Sequence, residues 1–139
     1  MFIKIMKSNI TNLILLSLIS FVVVNCKPTD NYTKSTLILN LTSWNLPDTA
    51  KLSTPFNLAL HSQTDNSCTS KVQFVLDQVN DTIYQVYGKA TYENRGESCL
   101  YLVVNKDSTI SLTLNKKGKF RFYFLNNDTY KKDSITIIP

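Results

Sequence analysis

Phe120-Arg121-Phe122-Tyr123-Phe124 alternates three phenylalanines with an arginine and a tyrosine. Successive side chains of a β-strand point to opposite faces, so period-2 alternation marks a strand with one buried face. The same period recurs on both sides. Downstream, Ile135 and Ile137 alternate to the end of the chain. Upstream, the inward positions are Ile110, Leu112 and Leu114, then those of Cys99–Val104 and Thr82–Tyr92. Further back come Val72, Phe74 and Leu76, then Phe56, Leu58 and Leu60, and finally Leu37, Leu39 and Leu41. Turn residues separate these runs. Asn80-Asp81 reads as a two-residue hairpin turn at positive φ, Gly96 as a left-handed turn residue, and Asn105-Lys106-Asp107 as a further turn. Ser43–Pro55, with Trp44, and Gln63–Ser70, with Cys68, read as loops. About eight short strands and no helix of real length predict an all-β domain over residues 36–139, an antiparallel sandwich or barrel.

The beginning of the chain departs from this period. Met1–Asn12 carries Lys4 and Lys7 and no acid, and Leu13–Val24 is uncharged and mostly apolar. That order is a basic segment followed by a signal-peptide core, and the run is shorter than the ~20 residues a spanning helix needs. It closes as Val23-Val24-Asn25-Cys26, which resembles the lipobox of bacterial lipoproteins. The resemblance implies a signal-peptide helix over residues 1–25, removed by a cut before Cys26. It also implies acyl chains, such as palmitate, on Cys26 as the attachment to a membrane. One chain anchors marginally and two or more anchor stably. The other reading is an uncleaved hydrophobic anchor with an incidental cysteine. Residues 26–35, polar with Pro28, then form a tether. Lys27 is not the aspartate that marks inner-membrane retention in the best-known sorting scheme, so the expected address is the outer membrane, facing either the periplasm or the cell exterior.

Removing residues 1–25 leaves 139 − 25 = 114 residues, enough for one domain with its own core. The net charge of +5 falls to +3 without Lys4 and Lys7, and the remaining charges are scattered. Only Lys116, Lys117 and Lys119 cluster, beside Gly118, and they read as a solvated turn, so no nucleic-acid partner is expected. With Cys26 lipidated, Cys68 and Cys99 remain. An even remainder in an exported chain suggests one disulfide, contributing roughly 3–4 kcal/mol; two free thiols are the alternative. In a flat meander Cys68 and Cys99 would stand two strand spacings apart, roughly 9.5 Å, beyond the reach of a bridge. A bridge therefore requires either a fifth strand that leaves for a second sheet, or a Cys68 loop folded over the sheet end. The first option favours a sandwich.

Asn115–Phe124 (NKKGKFRFYF) and the closing DSITII are similar to the last two strands of immunoglobulin-like and PKD-like domains. That resemblance covers about a quarter of the chain and implies an immunoglobulin-like sandwich with no functional residues. Asp-Ser and Asp-Thr pairs place Thr49, Thr82, Ser108 and Ser134 in a pattern similar to the O-glycosylation acceptor of one Gram-negative lineage. Such pairs also end turns and begin strands for their own reasons. Tyr87, Tyr101, Arg121 and Tyr123 fall on outward phases and form a candidate binding face for a glycan or an envelope protein, with Trp44 able to join from its loop. Tyrosine also suits exposed strands without any ligand. His61 is the one histidine and no CxxC occurs, so neither metal nor cofactor is expected. Glu93 and Glu97 flank Arg95 as local charge balance, and no GxSxG, HExxH, GxGxxG or P-loop pattern occurs. The sequence thus points to a lipid-anchored, non-enzymatic envelope protein that binds or scaffolds. A glycan-binding module or adhesin is the alternative, and a hydrolase or hydrolase inhibitor the third reading.

Overall fold

Alternation builds strands over most of the chain. The computed structural model describes residues 32–139. The expected leader over residues 1–25 and the expected 26–35 tether through residue 31, Cys26 included, lie outside the described residues, while residues 32–35 of that tether begin the first strand. Nine strands follow rather than eight: β1 (Tyr32–Leu39), β2 (Leu41–Asn45), β3 (Thr49–Lys51), β4 (Phe56–Asn66), β5 (Thr69–Asn80), β6 (Ile83–Arg95), β7 (Tyr101–Leu112), β8 (Gly118–Asn126) and β9 (Thr129–Ile138). The strands differ from the expectation at three places. The stretch around Trp44 is not a loop but holds β2 and β3. Gln63–Asn66 is the end of β4. Asn105-Lys106-Asp107 is not a turn but the middle of β7, because β4 supplies a partner along that whole length.

The strands form a sandwich-like pair of sheets, one of six strands and one of three. In the larger sheet β6 is central. β5 covers one side of it, with Thr69 opposite Tyr92 and Asn80 opposite Ile83. Two strands share the other side end to end: β8 pairs with Ile83–Val86, and β1 pairs with Gly88–Arg95. β9 follows β8, and β3 adds to β9. The smaller sheet runs β2-β4-β7. Two pairings, β6–β8 and β3–β9, are parallel, against the expectation of antiparallel strands throughout. The cause is sheet switching. β7 leaves for the second sheet, so two reversals separate β6 from β8. Leu37, Leu39 and Leu41 likewise do not form one row, since β1 ends at Leu39 and the chain crosses to the second sheet at Asn40.

That crossing is held by side chains. The Asn40 amide donates to the Asp128 carboxylate at 3.0 Å and its oxygen accepts from the Asp128 backbone N–H at 3.0 Å. Asn126 donates to the Leu41 carbonyl, and the Ser62 hydroxyl donates to the Asn40 carbonyl, both at 2.7 Å. Asn127 and Asp128 have φ values of 48° and 57°, as the two-residue turn joining β8 to β9 requires. The β5–β6 turn is built differently: Asp81 and Thr82 span it, and the Asn80 side chain accepts the Thr82 N–H at 2.9 Å. Gly96 has φ 84°, the left-handed value its turn role predicted.

The core is uneven. Phe120, Phe122 and Phe124 are buried against Phe56, Leu58, Leu60, Val86, Leu114, Ile135 and Ile137. Trp44 joins them. Its ring stacks on Phe124 with centroids 4.4 Å apart, and its indole N–H donates across the sheets to Asp133 at 3.1 Å. It is therefore a packing residue and not a loop residue free to meet a ligand. Halfway along the molecule the inward row of β4 changes from Phe56, Leu58 and Leu60 to the buried Ser62 and Thr64. Opposite them β6 presents Gly88 and Ala90, both buried. The sheets close in here. A Cβ on Gly88 would lie 3.5 Å from Ser62 Oγ across the sheets, and 2.8 Å from Cβ of Leu39, its pairing partner in the same sheet. Beyond that point Cys68 and Cys99 form a disulfide with Cα atoms 5.5 Å apart. It joins the start of β5 in one sheet to the segment entering β7 in the other, so of the two arrangements open to a bridge the fifth predicted strand leaves for a second sheet.

Candidate binding face

Register decides which outward residues meet. On the outer surface of the large sheet, Val75 faces Tyr87, Asp77 faces Gln85, and Gln85 faces Tyr123, which faces Lys132. The next row is Ile83, Arg121 and Ser134. Leu125 pairs with Tyr130 one step past Tyr123. Tyr87, Arg121 and Tyr123 therefore share one face, and Tyr130 and Lys132 from β9 belong with them. Tyr101 does not. It begins β7 in the other sheet, paired with Asn66. The β9 contribution escaped the sequence reading because the Asn127–Asp128 turn was not recognised there. With that turn placed, Tyr130, Lys132 and Ser134 fall on the phase opposite Ile135 and Ile137.

The face has internal order. The Tyr87 hydroxyl donates to the Asp77 carboxylate at 2.8 Å. That hydrogen bond raises the Tyr87 pKa, and desolvation together with the charges of Asp77 and Tyr130 adds to the effect. Tyr87 and Tyr123 are half-buried, while Arg121, Tyr130 and Lys132 are exposed. Three aromatic rings thus stand on a sheet surface beside one carboxylate, one guanidinium and one ammonium. Rings supply apolar area at low entropic cost, and the polar groups around them can hydrogen-bond a ligand resting on the rings.

A second arrangement lies on the outer face of the small sheet. Ser43 of β2 faces His61 of β4, which faces Asp107 of β7. The imidazole Nδ1 stands 2.8 Å from the Asp107 carboxylate, at 43% and 69% side-chain exposure. The sequence places these residues 46 positions apart, so only the β4–β7 register reveals the pair. Nucleophile, base and carboxylate are in the order acyl transfer uses. Among the described residues, however, the Ser43 hydroxyl makes no hydrogen bond to the imidazole, and the row is open to solvent.

The remaining predicted positions are dispersed. Thr49 begins β3 and Thr82 lies in the β5–β6 turn, both exposed. Ser108 and Ser134 sit inside β7 and β9, not at turns, and Ser134 is half-buried. Arg95 bonds Glu93 at 3.1 Å, and the Tyr32 hydroxyl donates to the same carboxylate oxygen at 3.1 Å. Both contacts hold the Glu93 carboxyl below its ordinary pKa, Arg95 most strongly. Lys116 pairs with Asp81 and lowers the Asp81 pKa. One of the three clustered lysines is thus tied to the turn opposite it. No family model, curated protein or solved structure matches this chain.

Proposed function

We propose that the chain is a lipid-anchored envelope protein whose sandwich is a binding module without catalysis of its own. The observation that carries the binding role is the outer face of the large sheet, where register gathers Tyr87, Tyr123 and Tyr130 with Asp77, Arg121 and Lys132. The anchor reading is supported by the short apolar run ending at Val23-Val24-Asn25-Cys26, and the outer-membrane address by Lys27. The immunoglobulin-like resemblance of Asn115–Phe124 is supported by strands at β8 and β9 with three buried phenylalanines. Catalysis is disfavoured by the unengaged Ser43 and the open surface around His61.

A glycan is the second reading of the ligand. Rings flanked by hydrogen-bonding side chains suit the apolar faces and hydroxyls of a pyranose. The test compares the mature lipidated protein with a Tyr87→Ala/Tyr123→Ala/Tyr130→Ala variant, on a glycan array and in capture from solubilised envelopes. Binding lost from the triple variant and kept by Tyr101→Ala supports the face. Retention on the array or of the captured partner by the triple variant rejects it.

A further inference from the structure

The half of the sandwich with polar inward residues also carries a run of apolar residues on its outside. Leu100, Tyr101, Leu102 and Val103 are 69%, 84%, 53% and 46% exposed, four consecutive apolar residues at the start of an edge strand. A bulge produces this. Thr64 faces Val104, and two residues later Asn66 faces Tyr101, so β7 holds one residue more than β4. Leu102 and Val103 are pushed out of the ladder, and the alternation that would bury every second residue is broken. The segment is nonetheless fixed. The Ser67 N–H donates to the Leu100 carbonyl at 2.9 Å, the Leu100 N–H donates to Ser67 Oγ at 3.0 Å, and Cys99 is bridged to Cys68. Tyr101 and Val103 border an open cavity of about 330 Å³ whose wall is mixed, with Leu37, Ile38 and Leu39 beside the polar Thr42, Gln63 and Asp65.

The position of this patch singles out its occupant. Tyr32, the first described residue, faces Arg95, and Arg95 leads through Gly96 directly to Cys99 and Leu100. The point where the chain enters the domain and the apolar segment therefore lie at the same end. Cys26 precedes Tyr32 by 32 − 26 = 6 residues, a reach of at most ~20 Å. A membrane held at Cys26 cannot stand far from that end. Tyrosine and leucine together suit the interfacial layer, where a ring keeps its hydroxyl in water.

We propose that Leu100–Val103 is a second membrane contact, resting in the interfacial layer of the bilayer that anchors the chain. It rests on the lipid-anchor reading and deepens it. The contact orients the domain. The disulfide-bridged end lies on the lipid, and the Phe120–Phe124 half is held away from it.

The full chain, expressed with its own leader, is placed in vesicles of phosphatidylethanolamine and phosphatidylglycerol, with and without brominated acyl chains. Trp44 is the one native tryptophan. It faces Leu60, and Tyr101 faces Asn66 on the same strand, so the two positions stand about 20 Å apart along β4. A Tyr101→Trp variant adds an interfacial probe at an exposed position. Bromine is expected to quench the introduced indole at least about twofold more than Trp44. Adding Leu100→Ser and Leu102→Ser should reduce that excess. Equal, weak quenching of both indoles in vesicle-bound, lipidated protein overturns the contact and leaves the anchor standing. A chain that floats and shows the quench with Cys26 unmodified by intact mass keeps the contact and overturns the lipid. A chain that does not float overturns both. A dimer in detergent that the Leu100→Ser/Leu102→Ser change dissolves, with no quench in vesicles, assigns the patch to a second copy and also overturns the proposal.

Discussion

The two halves of the sandwich along β6 are held together by different chemistry. In the half flanked by β8 and β9, the inward rows are Phe56, Leu58 and Leu60 of β4, Val86 of β6, and Phe120, Phe122 and Phe124 of β8, all buried. In the half flanked by β1, the same two central strands present Ser62 and Thr64 against Gly88 and Ala90. Small and hydroxylated residues bring the sheets close but bury little apolar area, and burial is the main stabilising term. The second half compensates with a covalent link, since Cys68–Cys99 restricts its unfolded state. In this domain the large aromatic core thus sits at one end, and the other end is cross-linked.

The largest effect should come from the apolar half. Phe122 is fully buried, stacked on Tyr84 at 5.0 Å and next to Phe124 at 6.1 Å. Phe122→Ala should cost about 3–5 kcal/mol in urea unfolding, read through the Trp44 emission. A loss under ~1 kcal/mol would mean that the core is not concentrated there. Next comes the bridge. Cys68→Ser/Cys99→Ser should cost about 2–5 kcal/mol, and amide exchange should rise first at Ser67–Ser70 and Cys99–Val104. Exchange that rises equally in β8 and β9 would erase the distinction between the halves.

The smallest effect concerns the candidate face on the large sheet. Tyr87 donates to Asp77, which raises its pKa. A raised folded pKa means that the hydrogen bond contributes fully below about pH 10 and is lost as pH rises through the folded value. In an ultraviolet titration of tyrosine, Asp77→Asn should move one late-ionising phenol to lower pH. Tyr84, raised by burial behind Phe122, should not move. An unchanged titration curve would sever Tyr87 from Asp77.

Period 2 made most of the strands legible, Phe120–Phe124 among them, and the even pair of cysteines suggested the bridge, for which a β7 leaving for a second sheet was one of two options. It failed where neighbours decide. Thr64, Asn105 and Asp107 are polar and look like loops, yet they are strand residues because β4 and β7 pair over their whole length. Trp44 looked free because the proline and serine near it suggest a loop, whereas the indole bridges the sheets to Asp133. The candidate face was legible in part. Phase alone grouped Tyr87, Arg121 and Tyr123, but it could not say that Tyr101 lies in the other sheet, nor that a turn at positive φ returns Tyr130 and Lys132 to the set. His61 and Asp107 come together only through register, which composition does not encode.

The central claim is that the Tyr87–Tyr123–Tyr130 face is occupied in the envelope. It is tested most directly by tetranitromethane labelling of the native protein in intact envelopes and after purification, with each tyrosine followed by peptide mass. Tyr123 and Tyr130 should be protected in the envelope and should react in the purified protein, whereas Tyr87, bonded to Asp77, should react slowly in both states. Equal labelling of Tyr123 and Tyr130 in both states would contradict the account.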